Sequence, residues 1–221
     1  MPRGLFITGT DTNVGKTVAA AALLHRFRRL RRLRYWKPIQ TGIEQDDDTA
    51  EVRRLAVCHE EEVITRGVRL RHPVSPHLAA HWNAQVIDLQ RLVRLISSEP
   101  ASDRWIVEGA GGALVPVNDS QLMTDLMLLL GLPVLVVART ALGTINHTLL
   151  TLEALRARSL RLAGVLMVGD RNGDNRAAIE HYGGVPVVGE MPRFQRLSAG
   201  ELAKWSAAEL DPEGSLLEFL E

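Results

Sequence analysis

Apolar residues along the chain fall into short unbroken runs separated by stretches of helical spacing. The runs are Leu5-Phe6-Ile7, Tyr35-Trp36, Trp105-Ile106-Val107, Pro133 to Ala138, Ala163 to Val168 and Val185 to Val188. Without a polar residue at every second position, such runs predict strands buried on both faces, as in a parallel sheet. Between them, Ala20, Leu23, Leu24, Phe27 and Leu30 mark one buried stripe and predict a helix from Lys16 to about Leu33. Helices are also expected over Val86 to Ile96, over Ser120 to Leu130 and from Gly143 to about Arg158. Ser75-Pro76-His77 reads as a helix start with proline in its first turn, and Val68-Arg69-Leu70 as a short strand. Strands alternating with helices predict an α/β fold, a parallel sheet flanked by helices on both faces and joined by right-handed crossovers. No repeat, long linker or low-complexity segment divides it, so residues 1–221 read as a single domain.

The first strand and helix enclose Gly9-Thr10-Asp11-Thr12-Asn13-Val14-Gly15-Lys16-Thr17. Strand, glycine-bearing loop and helix in that order are the context of a phosphate-binding P-loop. The N–H groups of residues such as Asn13, Val14, Gly15, Lys16, Thr17 and Val18, with the open helix N-terminus, would cradle phosphate oxygens. Lys16 can reach the terminal phosphates and the Thr17 hydroxyl can ligate Mg²⁺. Five residues separate Gly9 from Gly15 where the usual motif has four, so Thr10 takes the first glycine's place.

Three further strand ends carry candidate chemistry. Lys37-Pro38-Ile39-Gln40-Thr41-Gly42 follows the second strand, where ligands of open parallel sheets sit. Lys37 and Thr41 are candidates to face the triphosphate; the alternative is a polar loop with Lys37 in solvent. Trp105-Ile106-Val107 ends in Glu108-Gly109-Ala110-Gly111-Gly112, an acidic residue placed to act on Mg²⁺ and glycines that admit a ligand to the backbone. Gly143 and Thr144 open a helix whose free N–H groups suit a carboxylate. Asp48 is open between a capping box with Glu51 and a carboxylate near the metal. His77 and His81 lie four apart without a third ligand and read as a surface or core pair.

Composition narrows the chemistry. Acidic and basic residues balance at 26 each, which argues against nucleic acid or an anionic membrane as partner. One cysteine, Cys58, and an N-terminus that runs straight into the first strand suggest a cytoplasmic protein without a signal peptide. Only Lys16, Lys37 and Lys204 are lysines, so 23 of the 26 basic residues are arginine. A chain so biased that keeps lysine at two motif positions points to compact ammonium groups at work there. The arginines between Arg26 and Arg34 read as the solvated face and last turn of the first helix.

The four motifs beginning at Gly9, Lys37, Glu108 and Gly143-Thr144-Ile145-Asn146-His147, with Pro73-Val74-Ser75-Pro76-His77 and Gly189-Glu190-Met191-Pro192, resemble the dethiobiotin synthetase family from residue 4 to about 192. The resemblance implies a P-loop NTPase-type domain and an ATP- and Mg²⁺-dependent cyclo-ligase of biotin biosynthesis, working as a homodimer. It implies 7,8-diaminononanoate (7,8-diaminopelargonate) and CO₂ as substrates, and dethiobiotin, ADP and phosphate as products. By position, Lys16 and Lys37 would act on the transferring group. Thr17, Asp48 and Glu108 would hold Mg²⁺, with Gly109, Ala110 and Gly111 beside the nucleotide. Thr12 and Thr41 would bond the substrate or its carbamate. Gly143, Thr144, Ile145 and Asn146 would receive its distal carboxylate from the partner subunit. Val168 and Gly169 stand where the family often has an adenine-reading Asn followed by Asp, so adenine loses that reader here.

The rival reading is a dimeric P-loop ATPase switch of the partitioning or septum-placement type. Those carry a second lysine early in the loop, where this chain has Asp11. A GTPase would need an Asn-Lys-x-Asp or Thr-Lys-x-Asp motif, which is absent. A cobalamin-precursor amidation ligase would add a glutaminase domain for which 221 residues leave no room.

Overall fold

The structure, a computed structural model, describes residues 2–221. In chain order come β1 (Arg3–Gly9), α1 (Lys16–Phe27), β2 (Leu33–Trp36), β3 (Ile39–Gln40), α2 (Asp48–Leu55), β4 (Val63–Ile64) and β5 (Val68–Arg69). Then follow α3 (Pro76–Trp82), α4 (Leu89–Ser97), β6 (Arg104–Gly112), α5 (Met123–Leu130), β7 (Val134–Arg139) and α6 (Thr144–Arg156). β8 (Leu162–Val168), α7 (Gly173–Gly183), β9 (Val187–Met191) and α8 (Ala199–Glu209) complete the α-helices and strands, and short 3-10 turns stand at Glu60–Glu62 and Leu217–Phe219. Seven strands form one sheet in the order β4-β2-β6-β1-β7-β8-β9, and every pairing in it is parallel. β1 lies at its centre. The chain turns to one side after it and later builds the other, so the crevice at the carboxyl end of β1 is the topological switch point.

Alternation along each strand sorts the core into two layers. Leu5, Ile7, Tyr35, Ile106, Leu135 and Val137 pack under α1, α2 and α8. Phe6, Trp36, Trp105, Val107, Val134 and Val136 face the opposite way, towards α4, α5, α6 and α7. Ala19, Ala20, Ala21 and Ala22 of α1 are all fully buried. Their small side chains suit a helix with the sheet beneath it and α2 and α8 on its flanks.

Several expectations are corrected. α1 ends at Phe27 and not near Leu33, because the chain must reverse to begin β2. Leu30 is therefore 54% exposed and leaves the buried stripe. Arg28 instead closes the end of α1 by donating to the carbonyls of Leu24, Ala56 and Val57, while Arg32 and Arg34 bridge to the buried Asp103. Asp47, not Asp48, caps α2, accepting from the amides of Thr49 and Ala50. Gly109 to Gly112 belong to β6 instead of following it. Ile7 faces Glu108 and Gly9 faces Gly112, so β6 takes four steps where β1 takes two. The surplus bulges at Gly111, whose φ of 67° is open to glycine at little cost. The second helix predicted in the middle of the chain starts later, at Leu89 behind its Asp88 cap.

The last thirty residues complete the α1 face. Leu210, Leu216 and Leu220 are fully buried there, and the Asp211 carboxylate accepts from the amides of Ser215 and Leu216. No helix among the described residues is long and apolar enough to cross a membrane.

Candidate active site

The loop after β1 is wound tightly enough that only glycine fits at two of its positions. A Cβ on Gly9 would meet Val14 Cγ2 at 2.6 Å and Asp11 O at 2.8 Å, and Gly15 has a φ of 102° at the cap of α1. No side chain caps α1, so the N–H groups of its first turn, Lys16, Thr17 and Val18, carry no acceptor inside the helix. Lys16 folds back and donates from Nζ to Asp11 O at 3.0 Å. Burial, aided by the Lys37 charge, lowers its pKa from 10.5 to about 8. Phosphate oxygens beside so desolvated a group would favour its charged form and raise that value again.

Sheet alternation places the next groups. Tyr35 and Lys37 share one face of the β2 segment, and Glu108 lies on the same face of neighbouring β6. Lys37 Nζ donates to Asp48 Oδ2 at 2.6 Å, Glu108 Oε1 at 2.8 Å and Gly109 O at 3.2 Å. All three ammonium hydrogens are thus used, by a side chain that is 4% exposed. Burial alone would lower the Lys37 pKa, but the Glu108 and Asp48 charges and hydrogen bonds outweigh it and hold it above the ordinary lysine value. Burial likewise opposes the Asp48 carboxylate, and Lys37 prevails, holding that pKa below its usual value.

Thr17 Oγ1 sits 2.9 Å from Asp48 Oδ1 and 3.0 Å from Glu108 Oε1. A hydroxyl has one hydrogen, so it can satisfy only one of these oxygens at a time. Three hard oxygens with two negative charges converge, countered by one ammonium. That donor set fits Mg²⁺, which binds one or two protein carboxylates and takes its other ligands from phosphate and water. Among the described residues no group of three or more His, Cys, Asp or Glu could hold a metal on its own. The His77–His81 pair accordingly gains no third ligand.

These groups open onto a cleft of about 620 Å³ at the switch point. Of the residues singled out in the sequence, Thr12, Asn13, Gly15, Lys16, Thr17, Val18, Lys37, Thr41, Asp48, Glu108, Ala110 and Gly111 line it. Val14 does not; its side chain is buried in the core. Gly109 lies beneath the floor, where a Cβ would meet Phe6 at 2.9 Å. Gly143, Thr144, Ile145 and Asn146 begin α6 outside the cleft, so the chain alone does not bring them to Lys37. A second cleft of about 360 Å³, sharing Thr12 and Val115 with the first, runs towards His147, Leu150 and Thr151 of α6.

The sequence assigned no place at the site to the far wall of the main cleft: Gly42 and Pro73 to Pro76, named only within motifs of the resemblance, and Gln45 and Asp46. Strands β3 and β5 pair in a two-stranded sheet of their own and bring these stretches together. Gly42 donates its amide to His72 O at 3.1 Å, and a Cβ there would stand 3.1 Å from Pro73. Tyr35 was missed as well. Its hydroxyl donates to Glu108 Oε2 at 2.8 Å. The alternation Arg34-Tyr35-Trp36-Lys37 was the available signal, since it sets Tyr35 on the Lys37 side.

A family model described as an AAA domain matches residues 3–201. An ATP-dependent dethiobiotin synthetase BioD of Paramagnetospirillum magneticum is 48% identical over 201 residues, covering 91% of this chain and 93% of its own. The chain belongs to the dethiobiotin synthetase family. A second BioD, from Agrobacterium fabrum, is 41% identical over 97% of this chain and 96% of its own. Membership makes this chain an ATP-dependent ligase. Among solved structures, a ParA family ATPase from Chlorobium tepidum covers 93% of this chain and 98% of its own, with a TM-score of 0.58 at 10% identity. The septum site-determining protein MinD of Pyrococcus horikoshii, complexed with Mg-ADP, covers 93% and 95% with a TM-score of 0.55 at 14% identity. At such identities the likeness is one of fold, a P-loop NTPase-type sheet. The switch-ATPase reading gains no residue from it: Asp11 stands at the second lysine's place, salt-bridged to Arg139 at 3.3 Å.

Proposed function

We propose that this synthetase joins CO₂ to 7,8-diaminononanoate and closes the ureido ring of dethiobiotin at the expense of ATP, in biotin biosynthesis. One amine takes up CO₂ as a carbamate, losing a proton. A carbamate oxygen attacks the γ-phosphorus of ATP and ADP leaves. The second amine then attacks the carbonyl carbon of the mixed anhydride, expels phosphate and loses a proton. Two anions, carbamate and triphosphate, must be held in contact for the first transfer, which demands concentrated positive charge.

The observation that carries this reading is the convergence of Lys16 and Lys37 with Thr17, Asp48 and Glu108 in one cleft. Lys16 and the first-turn amides of α1 bind the phosphates, and Lys37 neutralises the transferring group from the β2 side. Thr17, Asp48 and Glu108 would hold Mg²⁺, which supplies charge neutralisation across the phosphates when bound. Thr12 and Thr41, both lining the cleft, offer hydroxyls to the substrate.

The distal carboxylate of the substrate needs donors that one chain does not bring to the cleft. The open N-terminus of α6, at Gly143 to Asn146, is suited to a carboxylate. In a homodimer a partner would supply it, and the apolar Leu114 and Leu150, 48% and 56% exposed beside the second cleft, support an interface on that side. Val168 packs near Gly15, its Cγ1 3.3 Å from where a Cβ would stand, and offers no hydrogen bond to a base. Nucleotide choice is therefore expected to be permissive.

The test is an assay with the diamino acid, bicarbonate, Mg²⁺ and each nucleoside triphosphate in turn, detecting the cyclic urea. The expected result is product with ATP and measurable product with other triphosphates. Absence of cyclic urea with all of them would overturn the reading.

A further inference from the structure

We infer that Tyr35 is a positioning residue for the metal-ligand end of the site, acting through Glu108. The inference rests on the reading of Glu108 as a ligand of Mg²⁺.

Glu108 is fully buried, and its two oxygens face different partners. Oε1 accepts from Lys37 Nζ at 2.8 Å and lies 3.0 Å from Thr17 Oγ1. Oε2 accepts from Tyr35 Oη at 2.8 Å. The last torsion of a glutamate is soft and broad, so a carboxylate held at one oxygen can still rotate. A donor on the second oxygen fixes the plane of the group and thereby the aim of the first. Tyr35 is itself fully buried, on a strand hydrogen-bonded to β6, so its hydroxyl is anchored more firmly than a surface donor would be. It is also neutral. A second cation at this place would compete with the metal for the carboxylate charge, whereas a phenol orients the carboxylate without cancelling it.

Hydrogen-bond partners of metal ligands commonly change metal affinity by roughly 10–100-fold when removed. A purely structural tyrosine would behave differently: its loss would lower thermal stability and leave metal affinity alone. Tyr35→Phe separates the two, since it keeps the ring in the core and deletes only the donor.

The experiment measures Mn²⁺ binding to the ADP complex by electron paramagnetic resonance, with Mg²⁺ competition, in the wild type and in Tyr35→Phe. The expected result is a rise of roughly tenfold in the Mn²⁺ dissociation constant, with metal-free ADP affinity and the KM for the diamino acid unchanged. Turnover lost at low Mg²⁺ should return at high Mg²⁺. Trp105→Phe, which perturbs the opposite face of the sheet, serves as the stability control and should lower the melting temperature with no change in Mn²⁺ affinity. Equal Mn²⁺ affinity in wild type and Tyr35→Phe overturns the role of Tyr35 while leaving the ligase reading intact. If the wild type binds no Mn²⁺ beyond what ADP alone binds, Glu108 is not a ligand and the inference falls with that assignment.

Discussion

Replacing Lys37 with methionine removes one charge and keeps most of the side-chain volume, so its effects trace the electrostatics of the site. In the wild type the ammonium spans Asp48 Oδ2 at 2.6 Å and Glu108 Oε1 at 2.8 Å. Without it, two carboxylates face each other across the single hydrogen of Thr17. Removing one partner of a buried ion pair costs about 3–5 kcal/mol. The Asp48 side chain is 30% exposed and can turn partly to water, which favours the lower end, about 3 kcal/mol. For a chain of this size that corresponds to a fall of roughly 6–12 °C in melting temperature. Millimolar Mg²⁺ should recover part of the loss, because a divalent ion among the same oxygens restores the missing positive charge. Product formation should drop by roughly 100-fold or more, the scale for removing a charge-stabilising donor at a reacting centre. ADP affinity should stay close to wild type, since Lys16 and the α1 amides remain. Differential scanning fluorimetry with and without Mg²⁺ reads the stability loss and its recovery, titration calorimetry the ADP affinity, and the product assay the turnover. An unchanged melting temperature with wild-type turnover would refute the reasoning.

Two other outcomes are expected. The Lys16 pKa of about 8 lies below the unfolded value of 10.5, so folding disfavours its charge and this group's contribution to stability improves as pH rises from about 8 to 10.5. Phosphate binding reverses the depression, so titration calorimetry in buffers of different ionisation enthalpy should detect uptake of about half a proton per ADP at pH 8; no uptake there would contradict it. Asn146→Ala should raise the KM for the diamino acid more than that for ATP in steady-state kinetics, and an equal effect on both would remove the α6 terminus from substrate binding.

Much of the architecture was legible because buried parallel strands leave unmistakable apolar runs: those at Leu5, Trp105, Pro133 and Ala163 all fall in strands of the central sheet. Boundaries were less legible where charge obscured them. The arginine run after Phe27 has good helix propensity, yet those side chains cap carbonyls and pair with Asp103 in a turn that the sheet connection imposes. Asp46-Asp47-Asp48 posed a different difficulty. Three adjacent carboxylates give no sign of which will cap and which will face the cleft, and the phase of α2 decides it: Asp47 caps and Asp48 turns to Thr17 and Lys37.

The meeting of Lys16, Thr17, Lys37 and Glu108 in one cleft was legible from their places at or just after strand ends. Tyr35 escaped notice because a tyrosine inside an apolar strand looks like packing; its role depends on what lies opposite in the next strand. That the motif from Pro73 to Pro76 faces the cleft was hidden for a similar reason. Strands of two residues, β3 and β5, carry too little pattern to be paired from sequence.

The most direct measurement of the central claim uses CO₂ and bicarbonate labelled with ¹⁸O, mixed rapidly with the enzyme, the diamino acid, ATP and Mg²⁺. If the carbamate oxygen attacks the γ-phosphorus, ring closure leaves that oxygen on phosphate. Mass spectrometry should then find one ¹⁸O atom in the phosphate of each turnover. Phosphate carrying no label, formed together with cyclic urea, would contradict the phosphorylated-carbamate account.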